Sequence, residues 1–381
     1  MTHAPRVAIS LASLVPGAIG GSERYARQLL LALAADPDEA RITVLVSPPA
    51  RAVYGAIGGG ALRVQHLRFG VAPGGLPRAL GLCAGLALSR PLARPLGPLD
   101  VIHHALTVPL LRPPAPAVIT LHDVAHHEVP QLFSRAERAF RRVAYDAAAR
   151  SAAMVITPSA HSRDTIVARL GVAPERVAVI PYGVEQEEFS PEDPGDDQLR
   201  RARFELRARY VLYPANLWPH KNHERLIQAW ARLADRELAL VLTGRVDPRL
   251  GPLLDEARRL GVGDRVRHLG HVEAGSLPAL YRGARAVVVP SLFEGFGFPV
   301  LEAMACGVPV AAADRASLPE LCAGAAVLFD PEDVDAIAAA IERVVDDGQL
   351  REAGLRRAAE LTWAAVARRH VEIYRSVASR P

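Results

Sequence analysis

Two glutamates form the strongest chemical signal in this sequence. Glu294 and Glu302 are separated by seven residues within SLFEGFGFPVLEAMACGVPV, and Pro299 stands where a helix would begin. Glu294 then lies in a Gly-rich loop after the predicted strand AVVVP, and Glu302 lies in the early turns of the next helix, so both can face one pocket. Carboxylate oxygens accept hydrogen bonds from sugar hydroxyls, so the pair predicts a polyol site. Helix-dipole stabilisation is the alternative for Glu302, but it would need no upstream partner in a Gly-rich loop.

The rarest side chains of the chain cluster in a second motif. Lys221 is the only lysine among 381 residues, and Asn216 and Asn222 are the only asparagines, so all three fall in the seven-residue window NLWPHKN. A coding bias explains their depletion elsewhere but not this clustering. Because a lysine ammonium is a compact point charge that can reach a phosphate oxygen in a tight site, the window predicts an anion site. Chance retention is the weaker alternative.

A third group of polar residues follows a predicted strand. The strand AVITL ends at His122 and Asp123, and His126 and His127 come shortly after. Histidines four residues apart could bind a metal, but no second carboxylate-rich motif accompanies them, so a metal is the minority interpretation. At the carboxyl end of a strand, His122 is better placed to hydrogen-bond a substrate. We expect Asp123 to orient it and assign Asp123 to acceptor binding.

A glycine-rich turn follows the first predicted strand. It contains Pro16, Gly17, Gly20 and Gly21, and Ser22 is the predicted N-cap of the next helix. Glycines let the backbone approach a ligand, and free amides at a helix start favour an anion. The turn is neither GxGxxG nor GxxxxGKS/T, which argues against a P-loop ATPase.

Composition limits the classes of protein that these motifs can serve. A length of 381 residues predicts two or three domains at roughly 150 residues each. No apolar run reaches the roughly 18 residues of a spanning helix, so we expect a globular protein with a mature cytosolic start. The excess of Lys plus Arg over Asp plus Glu, 45 against 41, is too small and dispersed for a nucleic-acid surface. Three cysteines without CxxC spacing predict neither disulfides nor zinc and are expected to be buried.

Alternating strand-like and helix-like segments position the motifs. Short apolar strands separated by helices predict parallel sheets covered on both faces, which is the doubly wound α/β class. The acidic segment from about Gly183 to Asp197 is the predicted linker. We therefore predict Rossmann-like domains over 1–183 and 198–360 and a helix over 361–381 that crosses back to the first domain. Ligands of such sheets bind outside the carboxyl ends of the strands, here in a cleft between the domains.

Residues 71–98 are rich in Pro, Gly and Leu, with scattered Arg. They are either an amphipathic element that faces a membrane or an acceptor, or an ordinary helix between two proline-rich loops. We favour the ordinary helix.

The motifs together resemble a known enzyme family. The pattern PSxxEGFGxPxxEAMxxGxPV, together with NLWPHKN, HDVAHHEVP, ITPSxxS and VIPYGV, is similar to retaining glycosyltransferases of family 4 (group 1). The resemblance covers nearly the whole chain in the right order. It implies the GT-B fold, in which two Rossmann-like domains face each other across a cleft, and a hexosyltransferase that uses a nucleotide-diphosphate sugar.

The resemblance also implies roles for individual residues. Glu294 contacts the donor sugar, Glu302 holds the ribose hydroxyls and Lys221 meets the diphosphate. His122 lies at the reacting sugar, so His122, Lys221 and Glu294 are the expected catalytic residues. The expected donor-binding residues contribute backbone amides, side-chain contacts or a wall of the site: Gly20, Gly21, Asn216, Gly244, Arg245, Gly295, Phe296, Gly297, Phe298 and Glu302.

One position departs from the family pattern. Many members carry an arginine five residues before the lysine as a second phosphate clamp, and this chain has Asn216 there. Part of the leaving-group stabilisation is then expected from Arg245 or from the helix start after Gly297. The form PANxWxxKN resembles a branch rich in mannosyltransferases, which favours GDP-mannose as the donor. A UDP-sugar is the alternative, and neither a separate cofactor nor a metal is expected.

The resemblance places the acceptor mainly on the N-terminal domain. We expect a glycan or lipid-linked acceptor, polysaccharide biosynthesis, and a cytoplasmic enzyme with peripheral contact at the inner face of the membrane. Retention normally calls for a nucleophilic carboxylate, but the usual proposal for this family is front-side attack, with His122 as a positioner. Two other hypotheses stay open. One is a metal-dependent hydrolase built on the HDVAHH cluster (His122, Asp123, His126 and His127), and the other is a sugar-nucleotide-binding protein without turnover, for which Asn216 leaves room.

Overall fold

The computed structural model describes residues 4–17, 20–71, 75–206 and 209–379. The chain divides into two units: the first contains Met1–Gly183 and Trp363–Pro381, and the second contains Val184–Thr362. Each unit is a parallel sheet with helices, so the predicted doubly wound α/β class is confirmed.

The first unit contains a seven-stranded sheet in which neighbouring strands are parallel. Its strands are β1 Arg6–Leu11, β2 Arg41–Val46, β3 Arg63–His66, β4 Val101–His104, β5 Ala117–Thr120, β6 Met154–Thr157 and β7 Val177–Val179. Their order is β3-β2-β1-β4-β5-β6-β7, so strand addition reverses direction between β1 and β4. Ligands of doubly wound sheets bind at carboxyl ends beside such a reversal. The loop after β1 ends at Gly20, directly before Gly21 begins α1, and the loop after β5 carries His122.

The helices of this unit connect successive strands. They are α1 Gly21–Ala34, α2 Arg51–Tyr54, α3 Gly75–Ala87, α4 Ser89–Ala93, α5 Ala125–Glu128, α6 Arg135–Arg141, α7 Ala147–Ser151 and α8 Ala160–Leu170. A π-helical turn, Arg142–Asp146, joins α6 to α7. In the Pro- and Gly-rich stretch 71–98, Leu80 on α3 and Leu88 between α3 and α4 are exposed, and residues 72–74 lie outside the described part of the chain.

The second unit contains a six-stranded parallel sheet. Its strands are β8 Tyr210–Pro214, β9 Ala239–Thr243, β10 Val266–His268, β11 Ala286–Val289, β12 Val310–Ala313 and β13 Val327–Phe329. Its helices are α9 Asp197–Ala202, α10 His223–Trp230, α11 Leu250–Arg259, α12 Leu277–Gly283, α13 Phe298–Ala305, α14 Leu318–Cys322, α15 Val334–Val344 and α16 Gly348–Glu360. The order β10-β9-β8-β11-β12-β13 reverses between β8 and β11. Lys221 follows β8 and Glu294 follows β11, so both come from the loops at the reversal.

The last helix, α17 (Trp363–Ala378), belongs to the first unit. It packs against α1 and β4. Its buried side chains recur every three or four residues and form one stripe: Trp363, Val366, Ala367, His370, Val371, Tyr374 and Val377. Burial of a large apolar side chain contributes about 1.5–3 kcal/mol, so the stripe is sufficient to hold the helix to this unit.

The acidic segment after Gly183 is counted with the second unit. Asp197 begins α9, is buried, and pairs with the Arg282 guanidinium at 2.6 Å. A partner 85 residues away is invisible to local composition, which reads the segment only as a polar linker. The Val184 amide donates to the Leu361 carbonyl oxygen at 3.1 Å, so the second unit begins and ends at one place.

Two expectations from composition have different outcomes. Cys306 and Cys322 are buried, but Cys83 is exposed, so the prediction that all three cysteines are buried is wrong for Cys83. It lies on α3, where Leu80 is exposed as well. Within the described ranges, every helix is too short or too polar to cross a membrane.

Candidate active site

The loop that carries Lys221 is held by Asn222. After β8 the chain makes a 3-10 turn over Pro219–Lys221, and Asn222 takes the left-handed conformation (φ 60°) before α10 begins. The Asn222 side-chain amide donates to the carbonyl oxygens of Pro290 at 3.0 Å and Pro331 at 2.7 Å. Asparagine adopts positive φ more readily than most residues. Asn222 therefore ties the Lys221 loop to the ends of β11 and β13, which gives a structural reason for an asparagine beside the lysine.

Lys221 and Glu294 form the centre of the site in the second unit. Nζ of Lys221 lies 2.6 Å from Oε1 of Glu294, and the two side chains are only 13% and 11% exposed. The Ser291 hydroxyl donates to the same carboxylate oxygen at 2.7 Å. Burial raises the pKa of Glu294, but the charge and hydrogen bond of Lys221, together with Ser291, outweigh it and hold that pKa below its ordinary value. A carboxylate and an ammonium group therefore stand side by side at neutral pH.

Glu302 lies in α13, which follows the Glu294 loop. The helix begins at Phe298 with Pro299 in its first turn, as the sequence predicts. Glu302 is buried, and the Tyr281 hydroxyl donates to its Oε2 at 2.5 Å. This hydrogen bond holds the carboxyl group of Glu302 in one orientation. Tyr281 lies on α12, 21 residues away, and nothing in the sequence marks it as a partner.

The Gly-rich loop between the two glutamates has a constrained backbone. Gly297 has φ 109°, and a Cβ there would lie 2.6 Å from the buried Leu318 side chain, so the position requires glycine. The Ser317 hydroxyl lies 2.8 Å from the Glu294 carbonyl oxygen and 3.0 Å from that of Phe296 and shares its proton between them. No side chain caps the start of α13, whose Val300 amide donates to the Gly297 carbonyl oxygen at 3.0 Å, so the helix offers an anion the positive end of its dipole. Sequence reasoning missed Ser317.

The other predicted members of this loop line it. Gly295 follows Glu294 directly, and the rings of Phe296 and Phe298 meet edge to face with their centroids 5.4 Å apart. The Phe296 ring is buried and that of Phe298 is half-buried. The structure thus places all the predicted residues from 294 to 302 on one loop and the helix that follows it.

Asn216, which stands where many members of the similar family carry an arginine, makes a structural contact. Its Oδ1 accepts a hydrogen bond from the Arg245 backbone amide at 2.8 Å. Gly244 has φ 143°, and a Cβ there would lie 2.6 Å from the Ala215 carbonyl oxygen, because the ends of β8 and β9 approach closely. The structure brings Asn216, Gly244 and Arg245 together, and the asparagine holds the turn that carries the exposed arginine.

In the first unit, His122 follows β5 and packs among aromatic rings. The Tyr182 hydroxyl is hydrogen-bonded to Nδ1 of His122, and the Tyr25 ring meets the imidazole edge-on with centroids 5.2 Å apart. Burial lowers the pKa of His122 to about 4, although the Asp123 charge and the Ala105 carbonyl act in the opposite direction. The ring is therefore neutral at pH 7 and can offer a ligand hydrogen bonds but no charge.

A chain of buried hydrogen bonds lies beside His122. Nδ1 of His370 is 2.8 Å from the Val366 carbonyl oxygen, which can only accept, so this nitrogen carries the proton. Nε2 of His370 must then accept from the Tyr25 hydroxyl at 2.8 Å. Tyr25 in turn accepts from the Thr120 hydroxyl, also at 2.8 Å. The Val366 carbonyl thus fixes which group donates and which accepts in these three hydrogen bonds.

The same series of hydrogen bonds continues to His103 on β4 and returns to Tyr374 on α17. Nε2 of His103 lies 2.9 Å from the Thr120 hydroxyl and donates to it, because the Thr120 proton is already committed to Tyr25. Nδ1 of His103 then accepts from Tyr374 at 2.7 Å. Burial lowers the pKa of His103 well below its ordinary value, and lowers that of His370 to about 4. Both rings are neutral, as the hydrogen-bond directions require.

The HDVAHH residues separate into different contacts. Oδ1 of Asp123 accepts from the Ala125 amide at 2.9 Å and so holds the start of α5. His126 and His127 each place Nε2 2.9 Å from a different oxygen of Asp146, which lies on the π-helical turn. Among the described residues of this region, the ligand atoms close enough to hold an ion belong to those two histidines and Asp146. The hydrolase hypothesis needs His122 and Asp123 in the same group and is not favoured.

Gly20 and Gly21 lie at the start of α1. The helix begins at Gly21 with Gly20 as its N-cap at φ 55°, so the prediction of Ser22 as the N-cap is wrong. Glycine at this position takes the positive φ that the turn requires, and the serine falls inside the first helical turn. The Gly17 amide donates to Oε2 of Glu23 at 2.7 Å, which ties the turn back to the helix. Residues 18 and 19 lie outside the described part of the chain.

Two family models match the chain. The model described as Glycosyltransferase Family 4 matches residues 19–188, and the one described as Glycosyl transferases group 1 matches residues 196–360. The first range includes His122, and the second includes Lys221, Glu294 and Glu302. Both halves of the chain are therefore similar to sugar transferases.

Individual proteins are also similar to this chain. The chain is 31% identical over 287 residues to the O-antigen chain mannosyltransferase B of Escherichia coli, which covers 72% of this chain and 74% of that protein. It is 32% identical over 241 residues to the MMP alpha-(1->4)-mannosyltransferase of Mycolicibacterium hassiacum, covering 61% of this chain and 56% of that protein. The structure of HepE from Anabaena in complex with UDP and glucose matches with a TM-score of 0.75 at 21% identity, covering 97% of this chain and 100% of that one. At that identity the structural likeness shows the fold alone.

Proposed function

We propose that this chain, which belongs to the family 4 (group 1) glycosyltransferases with the GT-B fold, is a retaining hexosyltransferase. Membership of the family makes it a glycosyltransferase. The proposal adds that the transferred group is a hexose, with mannose favoured, that the donor is a nucleotide-diphosphate sugar, and that the configuration of the anomeric carbon is kept.

The ion pair of Lys221 with Glu294 is the observation that carries this proposal. A largely buried charge pair at the carboxyl ends of β8 and β11 is costly unless a ligand uses it. A sugar diphosphate offers the two matching partners, since phosphate oxygens attract the ammonium and sugar hydroxyls donate to the carboxylate. Donor binding therefore replaces one internal contact with two contacts to the ligand.

Departure of the nucleoside diphosphate is the step that needs stabilisation. Negative charge grows on the leaving phosphate as the bond to the anomeric carbon breaks, and Lys221 with the positive end of the α13 dipole would stabilise it. Because these groups supply positive charge at the leaving group, we propose transfer without a divalent cation. We assign the second phosphate contact to Arg245, whose turn Asn216 holds.

Retention is proposed to follow front-side attack. The departing phosphate takes the proton of the acceptor hydroxyl, and the acceptor oxygen attacks the same face from which the phosphate leaves. His122 is neutral, with its pKa lowered to about 4 by burial, and it acts as a positioner of the sugar. Glu302, fixed by Tyr281, is proposed to hold the ribose hydroxyls.

Mannose is the favoured sugar and GDP-mannose the favoured donor. The support is the PANxWxxKN form of the lysine motif and the names of two relatives, both mannosyltransferases. A UDP-sugar is the competing donor, because the structurally similar HepE was solved with UDP and glucose. We propose a glycan or lipid-linked acceptor, and a cytoplasmic enzyme with peripheral contact to the inner membrane face.

A thermal-shift panel tests the proposal directly. The ligands are GDP, UDP, ADP and their mannose and glucose conjugates, each with the wild type, Lys221→Ala and Arg209→Ala. Arg209 is a surface cation of the second unit that pairs with Asp235, so it controls for loss of a positive charge. A ligand that binds only the folded state raises the melting temperature by mass action. We expect GDP and GDP-mannose to stabilise the wild type and Arg209→Ala but not Lys221→Ala.

Other outcomes of the panel would change the proposal. Stabilisation by UDP alone would keep the transferase and replace the donor. If no nucleotide stabilises the wild type, or if Lys221→Ala keeps the full shift, the assignment of this site to a nucleotide-sugar donor is wrong.

A further inference from the structure

The hydroxyl group of Tyr182 is hydrogen-bonded to the His122 imidazole. Tyr182 follows β7 in the segment VIPYGV, is buried, and hydrogen-bonds Nδ1 of His122. The Tyr25 hydroxyl also lies in this cluster, but it is committed to His370 and Thr120. Within the described residues, the ring of His122 is therefore held through Nδ1 by Tyr182.

The Tyr182 ring is itself fixed by other rings. It stacks on Trp363 with an interplanar angle of 15° and centroids 6.2 Å apart. It packs against Tyr25 with centroids 4.7 Å apart. Trp363 is the first residue of α17, and Tyr25 lies on α1, so a hydroxyl aimed at His122 is backed by two helices. Such packing leaves Tyr182 little freedom to turn away.

The other nitrogen of His122 lacks a comparable contact. Nε2 is buried and has no partner within hydrogen-bond geometry in the described part of the chain, although the Ala105 carbonyl acts on the ring and raises its pKa against the effect of burial. A buried polar atom without a partner costs on the order of 1–3 kcal/mol, a cost that a ligand hydroxyl would remove. Among the described residues, the imidazole therefore has one nitrogen held by Tyr182 and one without a partner in hydrogen-bond geometry.

We propose that Tyr182 is a positioning residue, which holds His122 through Nδ1 and directs Nε2 to the transferred sugar. The Tyr182 hydroxyl donates to Nδ1, so the proton of the neutral ring sits on Nε2 and is donated to a sugar oxygen. Burial raises the pKa of Tyr182 well above its ordinary value, so the phenol keeps the proton that it donates. This inference rests on the proposed function, because it assigns His122 to the transferred sugar.

The test compares two Tyr→Phe variants that each remove one buried hydroxyl from a histidine Nδ1. Tyr182→Phe removes the bond to His122, and Tyr374→Phe removes the 2.7 Å bond to His103 in the same unit. Turnover is followed as GDP release from GDP-mannose with water as the acceptor, which requires no identified glycan. We expect Tyr182→Phe to lower kcat about 10- to 100-fold with little change in KM, since misplacement of a reacting partner costs about that much. Tyr374→Phe should change kcat less than twofold.

A double-mutant cycle separates positioning from general damage. If Tyr182 acts through His122, Tyr182→Phe has no further effect in a His122→Ala background. The melting-temperature shift by GDP should be the same in the wild type and Tyr182→Phe, because the proposed diphosphate contacts lie in the second unit. If kcat of Tyr182→Phe stays within twofold of wild type, or if its loss adds to that of His122→Ala, the inference is wrong. If the wild type neither binds nucleotide nor releases it from the donor, the proposed function fails instead.

Discussion

The candidate site residues of the two units are held by different interactions. In the second unit, two opposite charges from the loops after β8 and β11 face each other at 2.6 Å. In the first unit, His122 is surrounded by hydroxyls and aromatic rings, and the nearby buried histidines are neutral. Each member of the Lys221–Glu294 pair can exchange its internal partner for a ligand. The neutral surroundings of His122 hold its imidazole ring in one orientation.

Burial has opposite consequences for charge in these two regions. Lys221 compensates burial at Glu294, so the pKa of that carboxyl falls below its ordinary value. No comparable countercharge compensates burial at His104, whose pKa falls to about 3, or at His370, whose pKa falls to about 4. The same low-polarity surroundings therefore keep one group ionised and the others neutral. Variants that separate charge from geometry should affect the two units differently.

The largest effect is expected at Lys221. Lys221→Ala removes the proposed stabilisation of the leaving phosphate, for which losing one group typically costs about 100- to 1,000-fold in kcat. It also leaves Glu294 buried without its countercharge, so we expect a loss of at least about 1,000-fold in GDP release from GDP-mannose. Lys221→Arg restores the charge but not the compact shape, and we expect it to remain at least about 100-fold impaired.

Glu294→Ala is the matched partner variant for this prediction. It should also abolish turnover, while circular dichroism and the melting temperature show an intact fold. Near-normal turnover in Lys221→Arg would show that charge alone is sufficient and would remove the argument for a compact ammonium.

The second prediction concerns acid sensitivity of the first unit. Folded His370 stays neutral down to about pH 4, but the unfolded chain takes up its proton below about pH 6.5. The unfolded state therefore binds more protons, so the free energy of unfolding falls as the pH drops from about 6.5 to 4. One such histidine contributes up to about 1.4 kcal/mol per pH unit. We expect His370→Gln to have a shallower pH dependence by about that amount, measured by hydrogen exchange of α17 peptides.

The second unit supplies the control for this pH dependence. The lowered pKa of Glu294 means that its contribution is complete above the ordinary carboxyl range and is lost only as the pH falls below it. Glu294→Gln should therefore leave the pH dependence between 6.5 and 5 unchanged. An unchanged slope in His370→Gln would show that the buried histidine does not titrate as its surroundings imply.

The two units also differ in how much of their structure the sequence predicts. The parallel α/β class, α13 from Phe298 to Ala305, and the loop positions of Lys221 and Glu294 follow from local patterns of apolar, proline and glycine residues. Tyr281 and Ser317 were missed because a hydroxyl has no spacing signature, and their partners are set by packing of separate helices. The contact of Asn216 with the Arg245 amide depends on two strand ends that local composition does not bring together.

The first unit was harder still to predict. Its buried chain joins Tyr25 on α1 to His370 on α17, 345 residues later. The sequence predicts the final helix, but its register on β4 and α1 decides which histidine meets which hydroxyl. Ser22 shows the same limit at short range, because the backbone of Gly20 sets the helix start two residues earlier than the polar pattern suggests.

The third prediction compares hydroxyls in the two units. Tyr281→Phe removes the bond that orients Glu302 and should weaken GDP binding about tenfold, since a buried polar group that loses its partner costs about 1–3 kcal/mol. Turnover at saturating donor should change little, in contrast to Tyr182→Phe. The measurement is the dissociation constant of GDP against that of 2′,3′-dideoxy-GDP, for the wild type and the variant.

The ribose control makes the third prediction specific. If Glu302 holds the ribose hydroxyls, dideoxy-GDP binds the wild type weakly and is insensitive to Tyr281→Phe. Equal losses for both ligands would assign Tyr281 to general packing of α12 on α13.

The smallest effect is expected at Asn216, where the chain departs from the family pattern. If the missing arginine were simply a lost phosphate clamp, Asn216→Arg would raise donor affinity. Oδ1 of Asn216 holds the Arg245 amide at 2.8 Å, however, and arginine has no acceptor to replace it. We therefore expect Asn216→Arg to lower the affinity for GDP about threefold, and Asn216→Asp, which keeps the acceptor but adds a negative charge near the phosphate, to lower it further. A gain in affinity for Asn216→Arg would mean that the second phosphate charge was missing and that the Arg245 turn does not supply it.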